Sequence, residues 1–260
     1  MSEIIPLDRL LRSRGAPLLC YPRFDAEEAE RRLREMCGLG VEALELRGRH
    51  KVDEVPVLGK GHVGVVVAAR VEGRPAALKI RRVDADRDSL AAEAANLEMA
   101  NGVSVGPRLM AASRNFLVME LIEGEYLIDW VGGLEPSDGD RLRLVLRRLL
   151  DKARSLDLVG LDHGELSRAH RHVMVAGAEP RIIDFESASR RRRAANVTSI
   201  AQYLYFNRRT RSLIEAVLRT PGTEELLEAL RRYKRAPTDG NYSRFLDVCG
   251  GNFRVRAEAA

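Results

Sequence analysis

Gly59, Gly61 and Gly64 fall between two apolar runs, Val57-Leu58 and Val65-Val66, and this spacing constrains the fold more than any other feature of the chain. Apolar, β-branched runs on both sides of a glycine turn imply two strands of a hairpin. A glycine turn of the dinucleotide-binding kind leads into a helix instead. Residues 55–58, 63–71 and 75–80 are therefore expected to form three successive strands joined by glycine-bearing turns. An alanine- and leucine-rich helix should follow over residues 88–101, ended at Asn101-Gly102. Residues 108–112 and 116–121 add two more strands.

The pattern differs on either side of this β-rich segment. Within residues 1–50, Asp25-Ala26-Glu27-Glu28 resembles a capping box, and Ala29, Leu33 and Met36 continue at helical spacing to Gly38. Residues 41–46 alternate as a strand does. This stretch is expected to be a small extension packed on the segment that follows. Beyond Gly132 the chain turns helical, with Leu142, Leu146, Leu149, Ala153 and Leu156 on one stripe. Residues 173–175 and 181–183 suggest a hairpin, and helical patterns return over residues 197–206, 212–218, 224–233 and 243–248. The expected division is an extension at 1–50, a β-rich segment at 51–122 and a helical segment at 123–260.

Composition narrows the function classes. With 45% apolar and 31% charged residues the chain is globular. It has no apolar run near the roughly 18 residues of a membrane span. Its N-terminus lacks a basic segment followed by an apolar core, which argues against a signal peptide. Cys20, Cys37 and Cys249 are far apart without metal-ligand spacing, which suits a reducing cytoplasm. A net charge of +5 is too mild to indicate nucleic acid by itself.

Several residues carry chemistry. Glycines in a hairpin let backbone N–H groups approach phosphates. Lys79 lies in the apolar run Ala76-Ala77-Leu78-Lys79-Ile80 and needs an anionic partner if buried. Glu93 shares a helix face with Leu90 and Leu97 and should point inward, whereas Glu98 lies off that stripe. Downstream, Leu161-Asp162-His163-Gly164-Glu165-Leu166-Ser167-Arg168-Ala169-His170 places an acid at 165. Asp184-Phe185 follows the apolar run Arg181-Ile182-Ile183, nineteen residues after Glu165. Arg190-Arg191-Arg192-Arg193 is a basic loop, more simply a solvated one than a binding patch.

In this order the residues resemble the protein-kinase-like superfamily, and within it an atypical archaeal-type serine/threonine kinase related to the RIO-type small kinases. The resemblance spans residues 52–206. It implies an α+β, two-lobed fold with a β-rich N-lobe and a reduced helical C-lobe. It implies ATP bound by Gly59, Lys60, Gly61, Gly64, Val66, Ala77, Lys79 and Glu93, with Lys79 and Glu93 holding the phosphates. Phe116-Leu117-Val118-Met119-Glu120-Leu121-Ile122 resembles the end of the N-lobe sheet and the hinge. Met119 would then be the gatekeeper, and the backbone of Glu120 to Ile122 would meet adenine. Glu165 stands where the family has the acceptor-orienting aspartate, and Asp184 where it has the metal-binding aspartate. His170 stands where it has a metal-binding asparagine, and Glu186 replaces a glycine. The resemblance thus implies a cytoplasmic kinase that uses ATP and Mg²⁺, or Mn²⁺ in its place, on a serine or threonine of a protein acceptor. An RNA or ribosome connection rests on analogy alone, and no membrane is implied. The departures at 165, 170 and 186 leave two alternatives open, a pseudokinase that binds nucleotide and a small-molecule phosphotransferase.

Overall fold

The computed structural model describes residues 3–250. The chain is mixed α and β, built on a multistranded antiparallel sheet, and divides into two compact units. One takes residues up to 101 together with 107–122, the other 102–106 together with residues from 123 onward.

The first unit contains strands β1 (Glu3–Pro6), β2 (Val41–Leu46), β3 (His50–Val52), β4 (Val55–Val57), β5 (Gly59–Lys60), β6 (Gly64–Val71), β7 (Arg74–Arg81), β8 (Leu109–Ala112) and β9 (Phe116–Glu120). Its helices are α1 (Leu7–Leu10), α2 (Ala26–Gly38) and α3 (Ala91–Asn101). The main sheet runs β1-β2-β6-β7-β9-β8, with β5 paired to β6, and neighbouring strands are antiparallel. Two strands of residues 1–50 thus extend this sheet at one edge.

Side chains alternate across a strand, so the two faces of this sheet collect different residues. One face gathers Val65, Val67, Ala69, Ala76, Leu78, Ile80, Phe116 and Val118 into a core completed by Leu10, Leu18, Leu19, Met36, Leu44 and Leu46. In the register of the ladder, Val66 lies opposite Lys79 and Ala68 opposite Ala77. Lys79 and Ala77 in turn lie opposite Leu117 and Met119. Those residues occupy the other face. Helix α2 starts at Asp25, whose side chain accepts the N–H of Glu28, as the capping pattern predicts.

The second unit contains β10 (Glu125–Tyr126), α4 (Leu127–Gly132), α5 (Gly139–Leu158), β11 (Val173–Ala176) and β12 (Glu179–Ile182). It continues with α6 (Asn196–Tyr205), α7 (Arg208–Glu215), α8 (Thr223–Arg235) and α9 (Asp239–Gly250). Strands β10, β11 and β12 form a small antiparallel sheet. The apolar stripe of α5 is buried from Leu142 to Leu156. No helix among the described residues is long and apolar enough to cross a membrane.

Candidate functional site

The predicted lysine and its acid meet in the first unit. Lys79 Nζ lies 2.8 Å from Glu93 Oε1, with both side chains at most 4% exposed. Glu98 is exposed, as expected for a residue off the stripe. The glycine loop is the expected hairpin. Gly59 pairs with Val66 and Lys60 with Val65, and the N–H of Gly61 donates to the carbonyl of Gly64 at 2.8 Å. Gly64 is required by a close approach. A β-carbon there would stand 2.9 Å from the Ile80 carbonyl oxygen and 3.0 Å from both Cγ and Cε of Lys79. The stem of the lysine therefore passes directly against the glycine loop.

The remaining predicted residues of this unit fall in three places. Val66, Ala77 and Met119 share the face of the sheet that carries Lys79. The N–H of Glu120 is committed to the carbonyl of Arg108 at 2.8 Å, and Ile122 lies partly exposed just past β9. The ammonium of Lys60 sits 4.7 Å above the ring of Tyr21, which Arg82 also contacts, a cation–π pairing that the sequence did not signal.

In the second unit the loop before β11 is fixed by buried polar bonds. Asn196 accepts the N–H of His163 at 2.9 Å. Its amide donates to the Leu161 carbonyl and to Asp157, each at 2.8 Å. Gly164 has φ +87°, and a β-carbon there would stand 2.9 Å from the Ser187 carbonyl oxygen, so the position favours glycine. His163 is fully buried and donates from Nε2 to the Ile183 carbonyl at 3.1 Å, which ties the loop to the segment bearing Asp184. Burial, with His172 nearby, pushes its pKa down to about 4. The basic loop has structural work at two positions. Arg192 pairs with Asp162 at 2.8 Å, and Arg193 donates to the carbonyls of Lys234 and Arg235.

Glu165, His172 and Asp184 form one group. Glu165 Oε1 lies 2.8 Å from Arg168, and its Oε2 lies 3.0 Å from His172 Nε2. His172 Nδ1 is 3.9 Å from Asp184 Oδ2. Burial holds the His172 pKa below the ordinary histidine value, against the opposing pull of Asp184 and Glu165. Asp184 has φ +67°, a left-handed conformation uncommon outside glycine and tolerated best by Asp and Asn. Backbone strain of this kind concentrates where a side chain must be aimed.

His170, the residue expected beside the metal, is exposed and stacked on Tyr203. His172 lies just before β11, at the end of a short turn. That 3₁₀ turn, over residues 166–171, swings it under Glu165. Among the described residues no group of three or more His, Cys, Asp or Glu is placed to hold a metal ion. The carboxylate of Asp184 could nonetheless ligate an ion that brings most of its own ligands.

No family model matches the chain. It is 31% identical over 120 residues to the uncharacterized protein MJ1211 of Methanocaldococcus jannaschii, an alignment that covers 45% of this chain and 99% of that protein. That likeness attaches no activity to the residues above, but it settles descent: the chain belongs to the same family as MJ1211.

Proposed function

We propose that this chain is an atypical ATP-dependent kinase with a two-lobed, protein-kinase-like fold, which transfers the γ-phosphate to a serine or threonine hydroxyl of a protein. The observation that carries the reading is the buried Lys79–Glu93 pair against Gly64. Taking two charges out of water costs several kcal/mol per ion, and apolar residues of similar size stabilise a core as well or better. Such a pair beside a glycine hairpin makes sense when the ammonium serves a ligand's phosphates.

In this reading Lys79 holds the α- and β-phosphates and Glu93 fixes Lys79. The glycine loop covers the phosphates with its N–H groups. Val66, Ala77 and Met119 give adenine an apolar wall. Mg²⁺ keeps several waters and binds through one or two carboxylates plus phosphate oxygens, so the donor set around Asp184 fits an ion arriving with ATP. Mn²⁺ fits as well. Bound there, the ion would neutralise developing phosphate charge. Glu165 accepts the hydroxyl proton as the acceptor oxygen bonds to the γ-phosphorus and the bond to the β-phosphate oxygen breaks. Two hydrogen bonds leave this carboxylate further lone pairs for that proton.

One observation favours a second reading, a nucleotide-binding module without transfer. Both oxygens of Glu165 are already held by the chain's own Arg168 and His172. The deciding experiment is transfer of radiolabelled γ-phosphate from ATP to the protein or an added acceptor, with Mg²⁺ and Mn²⁺ in parallel. Label in the wild type, lost in both Lys79→Met and Asp184→Asn, supports the kinase. ATP binding without label under either ion supports the module. Label on a metabolite instead of a protein moves the acceptor to the small-molecule class.

A further inference from the structure

His172 takes no part in the roles assigned above, although it is 5% exposed and stands between two carboxylates. Its Nε2 meets Glu165 Oε2 at 3.0 Å, while Arg168 holds the other oxygen of that carboxylate. A carboxylate paired with a guanidinium is an acceptor, so the imidazole proton belongs on Nε2. That tautomer leaves a lone pair on Nδ1, which has no hydrogen-bond partner. It faces Asp184 Oδ2 across 3.9 Å, too far for a hydrogen bond. Two electron-pair donors thus face each other, the imidazole buried and the carboxylate partly exposed, an arrangement that a cation satisfies.

The surroundings hold the two donors in register. The N–H of Ile183 donates to the His172 carbonyl at 2.9 Å, which locks the residue before Asp184 to the histidine. The ring of His163 packs edge-on against His172 at 5.4 Å, and Phe185 against His163 at 5.0 Å. Metal-binding imidazoles characteristically donate their second nitrogen to a carboxylate, which fixes tautomer and orientation. Glu165 stands in that position. Two ligand bonds of about 2.1 Å together span more than 3.9 Å, so one ion can lie between the two donors.

We infer that His172 Nδ1 and Asp184 are the protein's half of a divalent-cation site that prefers Mn²⁺ to Mg²⁺, with Glu165 holding the imidazole from behind. Imidazole suits transition ions, whereas Mg²⁺ demands hard oxygens. Water completes the coordination, together with phosphate oxygens when a nucleotide is bound. Only that last contribution rests on the kinase reading.

The test uses the full-length chain with isotope-labelled histidine, titrated with MnCl₂ alone and with MgCl₂ as a diamagnetic control, without nucleotide. The five histidine signals are assigned from single His→Gln variants. Mn²⁺ is expected to broaden His172, and its neighbour His163, at concentrations that leave His50, His62 and His170 sharp. Asp184→Asn should abolish that selectivity. In the transfer assay the Mn²⁺ rate should exceed the Mg²⁺ rate at least tenfold, and His172→Gln should bring the ratio near one. Selective broadening without any transfer upholds the site and removes the kinase reading. Transfer at equal rates in both ions, with His172 still sharp, overturns the site and leaves the kinase standing. Uniform broadening of every histidine also overturns it. Should His172→Gln fail to fold, the wild-type and Asp184→Asn titrations decide alone.

Discussion

Gly59 and Gly64 belong to one hairpin yet have different reasons to be glycine. A β-carbon at 59 would meet only Val66, at 3.7 Å, which is ordinary contact. At 64 it would press on the Ile80 carbonyl oxygen and on two carbons of Lys79. Gly64→Ala should therefore destabilise by about 1–3 kcal/mol through overpacking, and Gly59→Ala by less than about 1. Urea denaturation of the two variants measures the difference, and equal midpoints would contradict the packing argument. The lysine beneath follows a different rule. Lys79→Met alone leaves Glu93 a buried charge without its counter-ion, at a cost of about 3–5 kcal/mol. Adding Glu93→Gln should recover part of that loss, and a double-mutant cycle reads the coupling. Full additivity would mean that the pair does not interact. His163 contributes to the acid response. Its folded pKa of about 4 lies below the ordinary 6.5, so the unfolded chain binds the extra proton as the pH falls between these values. Stability from this group is intact above pH 6.5 and is lost progressively down to pH 4, by about 3 kcal/mol in all. Urea unfolding at pH 7 and pH 4.5 should show the drop, and His163→Gln should flatten it.

Arg32, which is 1% exposed, is the main polar anchor of helix α2 on the sheet. Its Nη1 donates to the Leu19 carbonyl at 2.7 Å and also to that of Arg81. Nη2 donates to Asn115 at 3.1 Å, and Glu28 pairs with Nε at 2.7 Å. Glu35 on the same helix accepts two bonds from Asn115. Arg32→Met would leave buried acceptors unpaired, at about 1–3 kcal/mol each, so a loss of at least about 3 kcal/mol is expected. Lysine cannot restore the fork geometry. The exposed Arg34→Met should change stability by less than about 0.5 kcal/mol, and a similar urea shift for both would refute the anchor. Patterns of apolar residues made most of these elements legible. Alternation located β2, apolar runs joined by glycine-bearing turns located β6 and β7, and the helical stripe located α2 and α5. Strand β1 escaped because four residues ending in proline carry too little alternation, and α4 because it lasts less than two turns. At the candidate site, Lys79 with Glu93 was legible because a lone charge in an apolar strand requires a partner. His172 was not, since it sits just past a 3₁₀ turn, where neither a helical nor a two-residue period reaches it. Asn196 and Asp157, which hold the loop of His163, are distant in sequence and carry no local signal.

The two faces of the main sheet bear on what the chain tolerates as a whole. One face carries Lys79, Ala77 and Val66, while the other is closed by residues 1–50. Ile5, Leu7, Leu10, Leu18, Leu19, Met36, Leu44 and Leu46 lie in the same core as Val65, Val67, Leu78 and Phe116. Sequence pattern set the first fifty residues apart, but they supply roughly half of that core and two strands of the sheet. Without them β6 would lose its partner β2 along residues 68–71 and become an open edge. An unpaired, apolar edge strand above an uncovered core is an aggregation site. A fragment of residues 51–260 should therefore be insoluble or elute as a large aggregate in gel filtration. Supplying residues 1–50 as a separate peptide during refolding should restore some monomeric material, because the missing surface is contiguous. A soluble, cooperatively unfolding 51–260 fragment would show instead that the first fifty residues are dispensable cover. The Lys79 face would then have to draw its rigidity from α3 and the ladder alone.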